Sequence, residues 1–245
     1  MVNLLQTELL KLKRSKMVLI SVLGSAVAPF IVVVASYFHM ETNNSGPFIT
    51  FTDLFTETNL YTVLLIGVPL YGVVSAYLFN REYVEDTLKN LLTIPVSRTS
   101  LIISKLMILF IWIMFLTFIA WGLTLGLGVL GQFQGLTLIL IVKSLGSFMT
   151  GGVLLFILST PIVFVAVVMK NYVPTIIFTI VITLINIMSA NSEHRGLFPW
   201  AATCDIANAT LQSTYPAAVS YTAIFSTSII GLIATIVYFK RGDIQ

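Results

Sequence analysis

Side chains able to do chemistry are sparse in this 245-residue chain, and most of those between residues 58 and 192 crowd into one segment, REYVEDTLKNLLTIPVSR at 81–98. Placed on a helix over 82–93, Val84, Leu88, Leu91 and Leu92 share one sector. Glu82, Glu85, Asp86, Lys89, Asn90 and Thr93 take the other. The acids precede Lys89, the order the helix dipole favours, and Glu85 is spaced to pair with Lys89 at i,i+4. Pro95 ends the helix. The chemistry of such a face is recognition: carboxylates presented to a partner's arginines or lysines form charge-assisted hydrogen bonds. The plainer alternative is a solvated helix that merely connects two spans.

Catalytic and energy-converting chemistry is not written elsewhere in the chain. No glycine is followed by lysine, so there is no phosphate-binding GxxxxGK[ST] loop. Cys204 stands alone, which excludes an internal disulfide or a cysteine-based metal cluster. His39 and His194 fall at the outer boundary, so a buried Ser–His or His–metal site inside the bilayer is not expected. The expectation is therefore no catalytic site, no metal and no bound cofactor in this chain. No predicted span holds an ionisable residue at depth. Lys105 sits near an inner boundary and Lys143 just outside the fourth span, where each is expected to snorkel. Uphill movement would need a motor on another chain.

The elements that must position the 82–93 face are membrane spans. The chain is 57% hydrophobic and 9% charged, against about 25% charged in soluble domains. A crossing helix needs roughly 20 apolar residues. Charge-poor windows place spans at about 17–38, 60–80, 101–130, 144–169, 173–190 and 220–239. The predicted fold is all-α and polytopic, one transmembrane domain over 1–245. At the start, Val2, Leu5, Leu9 and Leu12 form a stripe opposite Thr7, Lys11 and Arg14. This is an amphipathic helix over 2–16 that lies at the interface with its lysines at anionic headgroups. With the N-terminus inside, only Lys143 and Arg195 of the 13 basic residues lie outside. That asymmetry puts both termini in the cytoplasm.

An N-terminal interfacial helix, six spans and the REY..D.TLKNLL..P.SR segment together resemble the type 2 ABC exporter permeases. Glu82, Thr87, Leu91, Leu92, Pro95, Ser97 and Arg98 stand where that family's pattern has such residues. The resemblance covers the whole chain in layout and about eighteen residues in motif. It implies that 2–16 is an elbow helix and that 82–93 is a coupling helix seated on a cytoplasmic ABC ATPase. ATP and Mg would be bound on that partner. Glu82, Glu85, Asp86, Thr87, Lys89, Pro95 and Arg98 would make or frame the ATPase contact. Because one chain offers one docking helix, a second permease copy is expected, identical or related. The small size and apolar character look most like bacterial lantibiotic and bacitracin immunity exporters. These imply a hydrophobic or amphipathic substrate, an antimicrobial peptide or lipid-like compound, and the bacterial cell membrane as location. No nucleic-acid partner is expected. The alternative is an energy-independent immunity scaffold that binds a ligand in the outer leaflet.

Polar residues inside the spans give weaker signals. Thr175, Thr179, Thr183 and Asn186 share one face of the fifth span. They either line a substrate path, join helices by hydrogen bonds, or, for the threonines, bond back to their own helix. Ser21, Gly24, Ser25 and Ala28, and separately Gly122 and Gly126, read as faces for close helix packing. Pro29, Pro69 and Pro161 mark kinks. The outer segment 191–219, with Phe198, Pro199, Trp200, Tyr215 and Pro216, suits either a re-entrant hairpin or an aromatic-anchored surface loop.

Overall fold

The computed structural model describes residues 8–12, 15–42, 49–85, 97–211 and 214–241. Residues 8–12 are helical. They are followed by α1 (Lys16–Thr42), α2 (Phe51–Tyr61), α3 (Gly67–Val84) and α4 (Arg98–Leu130). Then come α5 (Leu138–Ile157), α6 (Ser159–Met169), α7 (Tyr172–Ser189), α8 (Pro199–Asn208) and α9 (Ala217–Arg241). A π-helical turn, Thr62–Ile66, joins α2 to α3, and Leu158 alone separates α5 from α6, so each pair forms one long rod. Among the described residues, six stretches are long and apolar enough to cross a membrane: Lys16–His39, Phe51–Val84, Arg98–Leu130, Leu138–Met169, Tyr172–Ser189 and Ala217–Arg241. The all-α, six-span architecture expected from composition is the architecture observed.

Around a buried apolar core, α7 and α9 turn their polar and small residues inward and their apolar residues outward. On α7 the buried residues are Thr175, Thr179, Ile182, Thr183 and Asn186, while Val173, Ile177, Ile180, Leu184 and Met188 are exposed. On α9, Ser220, Ser228, Gly231 and Thr235 are buried and Phe225, Ile229, Ile230 and Ile233 are exposed. Water as solvent would select the reverse. In lipid the outside is already apolar, so close packing of small residues and hydrogen bonding hold helices together. The first span follows that rule. Ser21, Ser25 and Ala28 are buried, and Trp112 of α4 donates its indole N–H to the Ser21 hydroxyl at 3.1 Å. Gly122 and Gly126 do not: within this chain both face open space, so the packing expected of them is not made here.

The second span begins earlier than its charge pattern suggests. Asp53 and Glu57 read as loop residues, yet both lie on α2. Asp53 accepts from the Thr50 amide at 2.9 Å and from the Thr50 hydroxyl at 2.7 Å, closing the helix start in the manner of a capping box. Its charge also suits the positive helix N-terminus. Thr50-x-x-Asp53 was the signal that could have placed this boundary.

The three span prolines are absorbed differently. Pro29 lies within a continuous α1. Pro69 follows the π-turn, in which Gly67 donates to the Thr62 carbonyl five residues back. Pro69 lies in the first turn of α3, where a missing N–H is best tolerated. Pro161 lies just past the break at Leu158, and the carbonyl four residues before it, on Ile157, accepts from the Thr160 hydroxyl at 3.2 Å. The same hydroxyl reaches the Ser228 carbonyl of α9 at 2.8 Å. A Cβ at Gly231 would stand 2.6 Å from the Pro161 nitrogen, so α9 packs directly on the kink.

In the segment after α7, the helix α8 is buried while the residues around it are exposed or half-buried. Pro199 opens α8 with its fixed φ, and the helix closes at left-handed Ala209 (φ 55°), where Thr210 donates to the Asp205 carbonyl at 2.8 Å. Trp200 to Asp205 and Ala207 are buried, and α8 packs against α2, α5 and α9. Arg195 binds both the Ala190 carbonyl, at 2.8 Å, and the Asp205 carboxylate. Burial raises the pKa of Asp205 although Arg195 and Thr210 oppose the shift, and burial pushes the Cys204 thiol up to about 12, an unreactive state.

Candidate functional site

Five elements meet at one end of the bundle: the 8–12 helix, the end of α3, the start of α4, the α6–α7 turn and the end of α9. Each is held by a charged or polar side chain. Asn80 of α3 donates to the Asn171 carbonyl in the α6–α7 turn at 2.8 Å. Ser97 caps α4 by accepting from the Ser100 amide at 3.2 Å. Arg98 donates to the Phe239 and Lys240 carbonyls of α9 at 3.1 and 3.3 Å, supplying cationic donors to a helix C-terminus. Lys170 lies over the Tyr83 ring and Arg81 over the Tyr77 ring.

The centre of the site is a ladder of alternating charge. Glu8 binds Lys11 at 2.8 Å, Lys11 binds Glu82 at 3.1 Å, and Glu82 binds Lys105 at 3.0 Å. Glu82 and Lys105 are 4% and 6% exposed, so both charges are out of solvent and depend on each other. Lys105 also donates to the Leu78 carbonyl and lies over the Phe79 ring. Beside the ladder, Arg81 pairs with Glu85 at 2.9 Å and reaches the Lys11 carbonyl at 3.4 Å. Burial opposes the charge on Lys11, but Glu8 and Glu82 outweigh it and raise its pKa above the ordinary lysine value.

Three sequence expectations change here. Glu82 does not share an outward polar face with Glu85. It lies on the continuous helix α3 and turns inward, because two lysines from distant elements converge on it. Lys105 and Lys11 do not snorkel outward either, for the same reason. Glu85 does face outward, its side chain 49% exposed, and its observed partner is Arg81. Asp86, Thr87, Lys89 and Pro95, and with them most of the 82–93 coupling helix, lie outside the described residues, as does most of the 2–16 elbow helix. Glu8 and Lys105 were the residues that sequence reasoning missed. The signal for Lys105 was a lysine inside an apolar span, which calls for a named counter-ion.

The polar line of α7 faces α3 within the same chain. Thr175, Thr179 and Thr183 donate to the carbonyls of Asn171, Ile176 and Thr179 on or next to their own helix. A Cβ at Gly72 would lie 2.2 Å from the Thr179 methyl, so the two helices touch there. Asn186 donates to the Leu64 carbonyl, in the π-turn, at 2.9 Å. Of these, Asn186 joins two helices by a hydrogen bond, while the threonine hydroxyls bond back to their own helix or its cap. At the opposite end, Thr52, Thr56, Lys143, Ser147 and Asn208 border a cleft of about 100 Å³, too small for a peptide.

A bundle with six helices long and apolar enough to span a bilayer, and with most of its basic residues gathered at one end, defines a multi-pass membrane protein. The model of the family described as ABC-2 family transporter protein matches residues 4–186, and the chain belongs to that family, as the membrane permease of an ABC exporter. It is 58% identical over 197 residues to the bacitracin transport permease protein BCRB of Bacillus licheniformis, an alignment spanning 80% of this chain and 95% of that protein. The family match runs from the N-terminal helix through most of α7 and therefore contains the whole charge ladder.

Proposed function

We propose that this chain is the membrane half of an exporter driven by a separate cytoplasmic ATPase, and that it expels bacitracin or a similar membrane-active peptide. The observation that carries the reading is the charge ladder, which ties together the two helix ends, Val84 and Arg98, that bracket the connector 85–97. A motor that grips the connector through Glu85, Asp86 and Lys89 would move α3 and α4 together, shifting the balance between inward-open and outward-open states. The bacitracin named for the relative, at 58% identity, supports the substrate class. The gathering of basic residues at the ladder end supports a cytoplasmic position for that end and for both termini. Two permease copies, one docking segment each, complete the unit in the bacterial cell membrane.

The test is co-expression with the ABC ATPase that co-purifies with the native chain, in a bacitracin-sensitive Gram-positive host. Resistance should rise with both subunits and vanish when the ATPase's catalytic glutamate becomes glutamine. Resistance that persists with the inactive ATPase would replace the exporter with an immunity scaffold.

A further inference from the structure

We propose that Glu82 is a positioning residue that makes the N-terminal helix, α3 and α4 one mechanical body, so that the N-terminal helix belongs to the coupling unit. The inference rests on the exporter reading above, and it assigns Glu82 a part that does not include touching the ATPase.

The N-terminal helix of an interfacial anchor would send its lysine to the headgroups. Lys11 instead bends toward the protein and binds a carboxylate 71 residues away. Leu12 beside it is buried in the main apolar core, and Glu8 is buried as well. The helix is therefore held by three contacts of different kinds: apolar packing, the Glu8–Lys11–Glu82 ladder, and the bond from Arg81 to the Lys11 carbonyl.

Glu82 is where the ladder branches. One carboxylate oxygen, Oε1, takes Lys11 and the other, Oε2, takes Lys105. Glu8, Lys11, Glu82 and Lys105 alternate in sign and sum to zero charge, so Glu82 and Lys105 can stay buried while Lys11 meets solvent at the edge of the ladder. Separating α3 from α4 would strand Glu82 and Lys105 in a poorly solvated interior, where an unpaired charge is far more costly than at a surface. Lys105 adds a second tie to α3 through the Leu78 carbonyl. Displacing the end of α3 thus carries α4 and the N-terminal helix with it.

The experiment uses the complex with the co-purifying ATPase in lipid nanodiscs, with bacitracin as probe. Spin labels are placed at Leu10→Cys and Ile103→Cys, both exposed positions, in a Cys204→Ser background. In the wild-type ladder the label distance should be the same with and without trapped ATP. In Glu82→Gln the ATPase should still bind and hydrolyse ATP at the basal rate, while bacitracin stimulation falls at least about tenfold and the distance broadens. The double variant Glu82→Gln/Lys105→Met removes one charge of each sign and leaves Glu8–Lys11 intact, so it restores charge balance without the bridge. It should fold, bind the ATPase and remain uncoupled. Wild-type coupling in the double variant would overturn the inference while leaving the exporter reading intact. Failure of the native chain to capture any ABC ATPase would overturn both.

Discussion

Asn186 of α7 donates its side-chain amide to the Leu64 carbonyl at 2.9 Å, an acceptor within the π-turn that precedes Pro69. A π-turn and a distant asparagine thus form one device that lets the second span change register without leaving an acceptor bare in an apolar interior.

Replacing Asn186 with Leu should destabilise the protein by on the order of 1–3 kcal/mol, the cost of leaving a buried acceptor unsatisfied. Thermal unfolding in detergent measures the loss.

Gly72→Ala should cost about 1–3 kcal/mol by overpacking, because the new methyl meets Thr179. Thr179→Ala should recover most of that loss. By itself Thr179→Ala should leave bacitracin resistance and its peptide selectivity unchanged. An altered selectivity profile would return the α7 threonines to the substrate path.

Glu85→Lys/Asp86→Lys should keep membrane insertion and the Glu82 ladder but abolish bacitracin-stimulated ATP hydrolysis, with ATPase capture weakened at least about tenfold. Glu85 is the exposed acid of the pair described, and reversal sets a lysine beside Arg81 as well as against the motor's cations. Pulldown and hydrolysis assays on the same preparation check both parts. Full stimulation would remove these residues from the contact.

Asp205 makes the stability of α8 depend on pH with a definite sign. Its pKa in the fold is raised above 3.8, first by burial and against Arg195 and Thr210. The fold therefore favours the protonated acid. The stabilisation is complete below about 3.8 and is lost as pH rises through the raised value. Hydrogen-exchange protection of α8 should fall across that window, and Asp205→Asn should flatten the dependence.

The amphipathic pattern over 82–93 shows how far periodicity reaches. Its apolar and polar sectors are legible in the spacing, yet Glu82 and Glu85 look equivalent there and part company in the fold. Nothing local separates them: what turns Glu82 inward is Lys105, 23 residues on, and Lys11, 71 residues before. Asp53 was misplaced because a charge next to a span reads as loop, whereas a capping acid is what the start of a long helix calls for. The Thr line on α7 was visible as a face, but a face alone does not say whether a channel or a neighbouring helix fills the space before it.

The amino-acid order alone determined the solvent, the number of crossings and the gathering of basic residues to one end. Those follow from how many apolar residues stand between charges, a quantity that adds up along the chain. Only the tertiary structure decided which charges are buried together and which carbonyl of the π-turn a distant amide covers. Such pairings depend on distances between residues far apart in sequence, and no local pattern encodes them.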